Sequence, residues 1–187
     1  MHILCLSGSL RALSYNTAVL YALKQLAPAH IQVGVFEQMK DLPLFNPDIE
    51  NENIAPVSAL QDEVYHADGL IIASPEYAHG ISGVLKNALD WLVAGDGFPL
   101  LPVALINTSP RAHHAQDALR EVLATMSATV VDPACIDVPL LGSDLGTHEI
   151  VKHTEIADSL LAMTEIFYQS VIAGSGDRAQ MKNLLNT

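Results

Sequence analysis

The chain has 187 residues, half of them hydrophobic, and a formal net charge of −12 at pH 7. This length fits one domain with a substantial core, and the composition excludes extended disorder. The negative charge argues against nucleic acid as a partner, because no basic patch is available to displace counterions. With no bilayer-length apolar run, no recognisable leader and no C-x-x-C pattern around Cys5 and Cys135, we expect a cytoplasmic protein without membrane contact.

Five apolar segments with strand character alternate with segments of helical periodicity. The strands are predicted at residues 3–7, 31–36, 70–74, 103–108 and 129–136. The helices are predicted at 16–26, 56–66, 83–93, 113–127 and 149–173, the last ending at a Gly-Ser-Gly stop before a polar tail. Repeated β–α units with continuously apolar strands predict an α/β fold with a parallel sheet covered on both faces. Ligands of such sheets bind beyond the carboxyl ends of the strands.

The first strand runs directly into a turn that reads SGSLRALSYN. Gly8 allows close approach of the backbone, and backbone amides at the start of the next helix favour an anion. Ser9, Ser14 and Asn16 can donate hydrogen bonds to phosphate oxygens, and Arg11 supplies a fixed positive charge. The spacing is neither that of a dinucleotide fold nor that of a nucleoside-triphosphate loop. We therefore predict a cradle for one terminal phosphate.

The same segment allows a second phosphate chemistry. Cys5 and Arg11 form a C-x-x-x-x-x-R spacing that resembles low-molecular-weight tyrosine phosphatases, with Asp132 available as a general acid. In a strand, however, Cys5 shares a face with Ile3, which favours a packed side chain over an exposed nucleophile. The first motif alone leaves both chemistries open.

A second motif follows the third strand and reads PEYAHGISGVLKNALDW. Together with GSLR and SYN of the first motif and the LPL-N segment at 42–46, it resembles the NAD(P)H-dependent FMN reductases. That family has the flavodoxin-like superfold and includes quinone, chromate and azo-dye reductases. The resemblance implies a doubly wound five-stranded parallel sheet in the order 2-1-3-4-5. It extends over residues 1–175, which we take as one domain followed by a tail at 176–187.

The chain departs from the family pattern at several positions. Ala78 stands where the family often has asparagine after Pro-Glu-Tyr, and Ser82 precedes Gly83 where the family has proline. The loop after the fourth strand lacks the usual glycines, and Ser109 is the best match there for a flavin contact.

The resemblance implies that FMN is bound with its phosphate on the first motif and its ring on the second. Backbone groups of residues 76–79 would contact the polar ring edge, with Pro75 and Tyr77 as walls. The implied cofactor-binding residues are Ser9, Arg11, Ser14, Asn16, Pro75, Glu76, Tyr77, Ala78, His79 and Ser109. No catalytic side chain and no metal are implied, because the flavin supplies the hydride chemistry and the histidines lack metal-ligand spacing.

The function implied is a ping-pong reductase that takes a hydride from NAD(P)H and reduces a small-molecule acceptor. A quinone, an azo compound, a metal oxyanion or free flavin would fit an open ring face. By the same resemblance the protein is a homodimer or homotetramer, with the loop 42–46 and the helix 83–93 at the interface. The alternatives are a non-enzymatic electron carrier or redox sensor of flavodoxin type, and the phosphatase that uses Cys5 and Arg11.

Overall fold

The computed structural model describes residues 1–93, 95–109, 111 and 113–185, with the backbone alone at 177 and 182–185. The strands are β1 (His2–Ser7), β2 (Gln32–Val35), β3 (Gly69–Ala73), β4 (Glu76–Tyr77), β5 (Gly80–Ile81), β6 (Pro102–Asn107), β7 (Thr129–Val130) and β8 (Ile136–Asp137). The helices are α1 (Tyr15–Leu26), α2 (Ala55–His66), α3 (Gly83–Leu92), α4 (His113–Thr125), α5 (Thr147–Lys152) and α6 (Thr154–Leu185).

The main sheet is parallel and runs in the spatial order β2-β1-β3-β6-β7. A short 3-10 turn, Asp132–Ala134, divides the fifth strand into β7 and β8, and both pieces pair with β6. Pro133 lies in this turn and has no N–H to donate to a ladder, which accounts for the break. The predicted order 2-1-3-4-5 is therefore confirmed. The order reverses between β1 and β3, and in such sheets a ligand crevice opens at that point.

Both faces of the sheet are buried, as the continuously apolar strands predict. Leu4 and Leu6 of β1 pack in the cluster that includes the inner sides of α2, α3 and α4. Ile3 and Cys5, the alternate residues, pack in the cluster beneath α1, α5 and α6. The alternation follows from the two-residue period of a strand. Helices cover both faces of the sheet, so the loops lie at the two edges where the strands begin and end.

The C-terminal region differs from the single helix predicted at 149–173. The chain is extended at His153, with φ −81° and ψ 102°, so α5 and α6 are separate helices. Helix α6 also continues through Gly174 and Gly176 to Leu185 instead of stopping there. Within the described part of the chain, no helix combines the length and the apolar character needed to cross a membrane.

A buried arginine accounts for the longer α6. Arg178 is only 7 % exposed, and its guanidinium donates hydrogen bonds to the carbonyl oxygens of Ala67 at 2.5 Å and Gly97 at 2.9 Å. A glycine in a helix costs about 1 kcal/mol, whereas hydrogen bonds from a charged group contribute about 1.5–3 kcal/mol. The tertiary contact therefore outweighs the local stop signal. The division into a domain at 1–175 and a tail at 176–187 stays a prediction.

Candidate functional site

The loop after β1 is fixed by its own hydroxyl groups. Ser14 is the N-cap of α1, and its Oγ accepts a hydrogen bond from the amide of Thr17 at 3.3 Å. The Oγ of Ser9 accepts one from the amide of Arg11 at 3.4 Å. Both hydroxyl hydrogens remain available to a ligand, because each oxygen acts in these bonds as an acceptor. The guanidinium of Arg11 is exposed beside them.

Gly8 lets this loop lie tightly against the end of β3. Its amide donates to the carbonyl oxygen of Ala73 at 2.9 Å. A Cβ at this position would lie 2.2 Å from the Oγ of Ser74, which is far inside van der Waals contact. A side chain here would therefore separate the β1 and β3 loops. The sequence predicts close approach of the backbone at Gly8, and the structure identifies Ala73 and Ser74 as the neighbours that it approaches.

The loop after β3 is a tight hairpin that the sequence analysis did not predict. Strands β4 and β5 pair antiparallel, Glu76 opposite Ile81 and Tyr77 opposite Gly80. The two turn residues, Ala78 and His79, have φ of 50° and 60°. Two successive positive φ values are typical of a type I′ turn, which matches the twist of a hairpin. The motif PEYAHG thus forms a structured wall above the sheet rather than a loose loop.

The carboxylate of Glu76 ties this hairpin to α4. Its Oε2 accepts a hydrogen bond from the amide of Ala115 at 2.9 Å, and its Oε1 lies 3.2 Å from Nδ1 of His79. The amide of Ala115, and more weakly the contact with His79, hold the pKa of Glu76 below its ordinary value. The side chain of Glu76 therefore caps a helix, while the residue also lines the crevice.

The loop after β6 contributes a residue that sequence reasoning missed. Thr108 is buried, and its Oγ1 donates a hydrogen bond to Oδ1 of Asn16 at 3.0 Å. This bond fixes the orientation of the Asn16 amide, whose Nδ2 hydrogens can donate to other acceptors. Ser109 is held by its amide, which donates to Oδ1 of Asn107 at 3.1 Å. In the sequence, only its position next to Ser109 marks Thr108 as a site residue. The side-chain partner of Thr108, Asn16, is 92 residues away in the chain.

These loops enclose a cavity of about 320 Å³ at the carboxyl edge of the sheet, within the range typical of ligand pockets. Eight of the ten predicted residues line it: Ser9, Arg11, Ser14, Asn16, Pro75, Glu76, Tyr77 and Ser109. Ala78 and His79 lie outside that lining. The further lining residues are Tyr15, Thr108, Arg111 and Leu141.

A second cavity of about 580 Å³ lies beside the first, between α1 and the segment 144–147. The two cavities share Arg11, Ser14 and Tyr15. We take the cavity of about 320 Å³ as the candidate site. Of these two cavities, it is the one that the loops after β1, β3 and β6 line together, where the strand order makes a crevice.

The residues of the candidate site fit FMN better than a phosphatase reaction. Hydroxyls, an amide and an arginine gather at the β1 end, as a terminal phosphate requires. The hairpin with exposed Tyr77 lies at the β3 end, where a flat ring would be placed. Cys5 is fully buried, which raises the pKa of its thiol, and it lines neither cavity. A buried, protonated thiol cannot serve as a nucleophile.

Known proteins are similar to this chain in sequence. A family model described as NADPH-dependent FMN reductase matches residues 1–139. A quinone reductase of Escherichia coli (strain K12) is 36% identical over 140 residues, which are 71% of this chain and 74% of that protein. A 2-hydroxy-1,4-benzoquinone reductase of a Burkholderia species is 36% identical over 131 residues, 67% of this chain and 71% of that protein.

A solved structure supports the fold over nearly the whole chain. The flavoenzyme NAD(P)H:(acceptor) oxidoreductase FerB of Paracoccus denitrificans superposes with a TM-score of 0.65 at 24% identity. The match covers 97% of this chain and 95% of FerB. Fold, motifs and family match therefore agree on an oxidoreductase that uses FMN as cofactor and NAD(P)H as co-substrate. This chain belongs to the NADPH-dependent FMN reductase family.

Proposed function

We propose that the 320 Å³ cavity holds FMN, with the phosphate among Ser9, Arg11, Ser14 and Asn16. The observation that carries this proposal is the convergence of the β1, β3 and β6 loops on one cavity. At its β1 end lie the permanently charged guanidinium of Arg11 and the hydroxyl hydrogens of Ser9 and Ser14, which can donate to a ligand. At its β3 end lies the β4–β5 hairpin. The ring would lie on Pro75 and Tyr77, with its polar edge toward the backbone of Glu76 and Tyr77, the part of the hairpin that lines the cavity.

In this proposal the protein positions reactants and the cofactor supplies the chemistry. FMN held in this cavity would supply two-electron transfer between the nicotinamide donor and an acceptor. Glu76 keeps the ring-binding hairpin in register with α4 through Ala115. Thr108 orients the amide of Asn16 at the phosphate end. Such rigid support holds two reactants in a productive geometry.

We further propose a quinone as the acceptor class. The E. coli and Burkholderia relatives are named as quinone and benzoquinone reductases, respectively. Two apolar side chains at the rim of the cavity support a flat, uncharged substrate: Tyr77 is 52% exposed and Leu141 is 60% exposed. Tyr77 can stack on an aromatic ring, and Leu141 can pack against the face of one. Azo compounds, metal oxyanions and free flavin are the competitors to compare with it.

The deciding experiment records the absorbance of the purified protein with added FMN, followed by NADPH and then NADH without oxygen. A bound flavin band that bleaches with nicotinamide and recovers with a quinone supports the reductase. Binding without bleaching would indicate an electron carrier or sensor. Absence of flavin binding, together with hydrolysis of p-nitrophenyl phosphate, would restore the phosphatase.

We also propose a homodimer or homotetramer with residues 42–46 and α3 at the interface. The side chains of Asn87 and Trp91 each donate to the carbonyl oxygen of Pro43 at 2.9 Å, so the loop is fixed on the helix. Leu44 on this loop is 84% exposed, although it is apolar. Light scattering after gel filtration tests the assembly, and Leu44→Asp should shift it toward monomer. The free Cys5 and Cys135 support the proposal of a cytoplasmic location.

A further inference from the structure

Four basic side chains belong to the loop after β6, the start of α4 and the β4–β5 hairpin, away from the phosphate loop. Arg111 lines the cavity, and His113 follows two residues later as the first residue of α4. The ring centres of His113 and His114 are 4.1 Å apart, and those of His114 and His79 are 4.5 Å apart. We call Arg111, His79, His113 and His114 the β6-side cluster.

The β4–β5 hairpin and α4, and not the phosphate loop, hold the three histidines of the cluster together. His79 is presented by the β4–β5 hairpin, at a turn position with φ of 60°. Glu76 of the same hairpin binds the amide of Ala115, which fixes α4 beside the turn. The carboxylate of Glu76 is the acidic group among these contacts, and it is engaged with Ala115 and His79. The imidazoles are therefore brought together by two elements that a single carboxylate joins.

FMN has no evident use for this cluster. Arg11 follows β1 and Arg111 follows β6, with β3 between those two strands. Neighbouring strands lie about 4.8 Å apart, so the two loops begin about 10 Å from each other. FMN has one phosphate, which cannot occupy both places. If the phosphate binds at Arg11, the β6-side cluster is left for another anion.

The cluster is also accessible, although His79 is engaged with Glu76. Arg111, His113 and His114 are exposed, and the side chain of His79 is 77% exposed. Within the described part of the chain, no hydrogen bond engages the imidazoles of His113 or His114 or the guanidinium of Arg111. The described residues also contain no group of three or more His, Cys, Asp or Glu side chains arranged for a metal ion. A chain of net charge −12 thus places Arg111 in the cavity lining and three neighbouring histidines outside that lining.

We infer that the β6-side cluster binds phosphoryl oxygens of the nicotinamide donor while its nicotinamide lies over the flavin. This inference rests on the proposed function. A guanidinium donates two parallel hydrogen bonds to a phosphate, and each imidazole donates one when neutral and two when protonated. The phosphoryl group has two sources, the pyrophosphate that NADH and NADPH share and the additional 2′-phosphate of NADPH.

The test uses FMN-loaded protein and the variants Arg111→Gln and His113→Gln/His114→Gln. The rate of flavin bleaching is followed against the concentration of NADPH and of NADH. We expect the donor's dissociation constant to rise about 10-fold or more, as for lost charge-assisted hydrogen bonds, with little change in the limiting rate. Reoxidation by an uncharged quinone should be unchanged. A loss for NADPH alone assigns the cluster to the 2′-phosphate, and an equal loss for both donors assigns it to the pyrophosphate.

Two further measurements keep the inference separate from the proposed function. His66→Gln is the matched control, because His66 ends α2 at the opposite, amino edge of the sheet. Calorimetric titration with 2′,5′-ADP and with inorganic pyrophosphate measures binding without turnover, and the cluster variants should weaken at least one of them. If both variants bleach at wild-type rates at every donor concentration, the inference is wrong although the reductase function stands. A protein that never bleaches with either donor contradicts the proposed function itself.

Discussion

Arg11 is the residue whose role can be tested most directly. Its guanidinium is exposed at the cavity, and the amide of the same residue is held by Ser9. If it contacts the FMN phosphate, Arg11→Gln removes charge-assisted hydrogen bonds that contribute about 1.5–3 kcal/mol. We expect the dissociation constant for FMN to rise about 10- to 100-fold, measured by quenching of flavin fluorescence.

Riboflavin provides the control for that experiment, because it has the ring of FMN without the phosphate. Wild type and Arg11→Gln should bind riboflavin equally. An equal loss of affinity for both flavins would show that Arg11 supports the loop and not the phosphate.

The residues of the site differ in how far sequence could identify them. Ser9, Arg11, Ser14 and Asn16 could be named because they follow one strand within one contiguous motif. Thr108 could not, since its function depends on a hydrogen bond to a residue 92 positions away. The sequence also did not reveal that Ala78 and His79 lie outside the cavity lining, because that depends on the turn type of the hairpin.

At the scale of elements, the β4–β5 hairpin stores backbone strain in Ala78. A residue other than glycine or asparagine at φ of 50° costs about 1–2 kcal/mol. Glycine relieves this strain but loses about 0.4–1 kcal/mol through the entropy of the unfolded chain. We expect Ala78→Gly and Ala78→Asn to raise the melting temperature by about 1–4 °C, measured by calorimetry.

A matched substitution in a helix should have the opposite sign. Ala59 lies inside α2, where glycine costs about 1 kcal/mol relative to alanine. Ala59→Gly should therefore lower the melting temperature. If Ala78→Gly lowers it as well, the turn does not have the strained conformation.

The contact between Glu76 and α4 should appear as a pH-dependent stability. The amide of Ala115 lowers the pKa of this carboxyl from its ordinary value of 4.5. The folded protein therefore binds the proton less well than the unfolded chain does. The stabilisation is complete above about pH 4.5 and is lost as the pH falls through the folded-state pKa.

Urea unfolding of the apoprotein measures this effect. At neutral pH the wild type should be more stable than Glu76→Gln, and the difference should shrink as the pH is lowered below about 4. Glu63→Gln, on the exposed side of α2, measures the loss of a carboxylate elsewhere. A Glu76→Gln difference that stays constant across this pH range would contradict the helix-capping role.

The predicted boundaries of most elements agree with the structure to within one or two residues, because apolar periodicity and caps act locally. The predicted helices at 16–26, 56–66 and 83–93 correspond to α1, α2 and α3. The failures have tertiary causes. The β4–β5 hairpin is too short for a periodic signal, and α6 passes its glycines because Arg178 finds buried acceptors.

For the whole molecule, the two edges of the sheet have different roles. The carboxyl edge holds the cavity. The amino edge holds Arg178, which donates to Ala67 before β3 and to Gly97 before β6. Changes at the amino edge should therefore alter stability without altering the site. This separation makes the C-terminal boundary testable.

Arg178→Gln should lower the free energy of unfolding by about 2 kcal/mol and the melting temperature by about 4–8 °C. The dissociation constant for FMN should remain unchanged, since the lost contacts lie across the sheet from the cavity. Arg120→Gln is the control: its exposed ion pair with Asp132 should contribute at most about 1 kcal/mol.

A chain ending at residue 175 keeps the first 22 residues of α6 and lacks its last part, which contains Arg178. It therefore tests whether residues 1–175 form the complete folding unit. We expect it to fold, to bind FMN as the full chain does and to match Arg178→Gln in its melting temperature. A truncated chain that is unfolded would place the domain boundary beyond residue 175. A chain as stable as the wild type would mean that the hydrogen bonds from Arg178 contribute nothing net, because their gain only offsets the cost of burying the guanidinium.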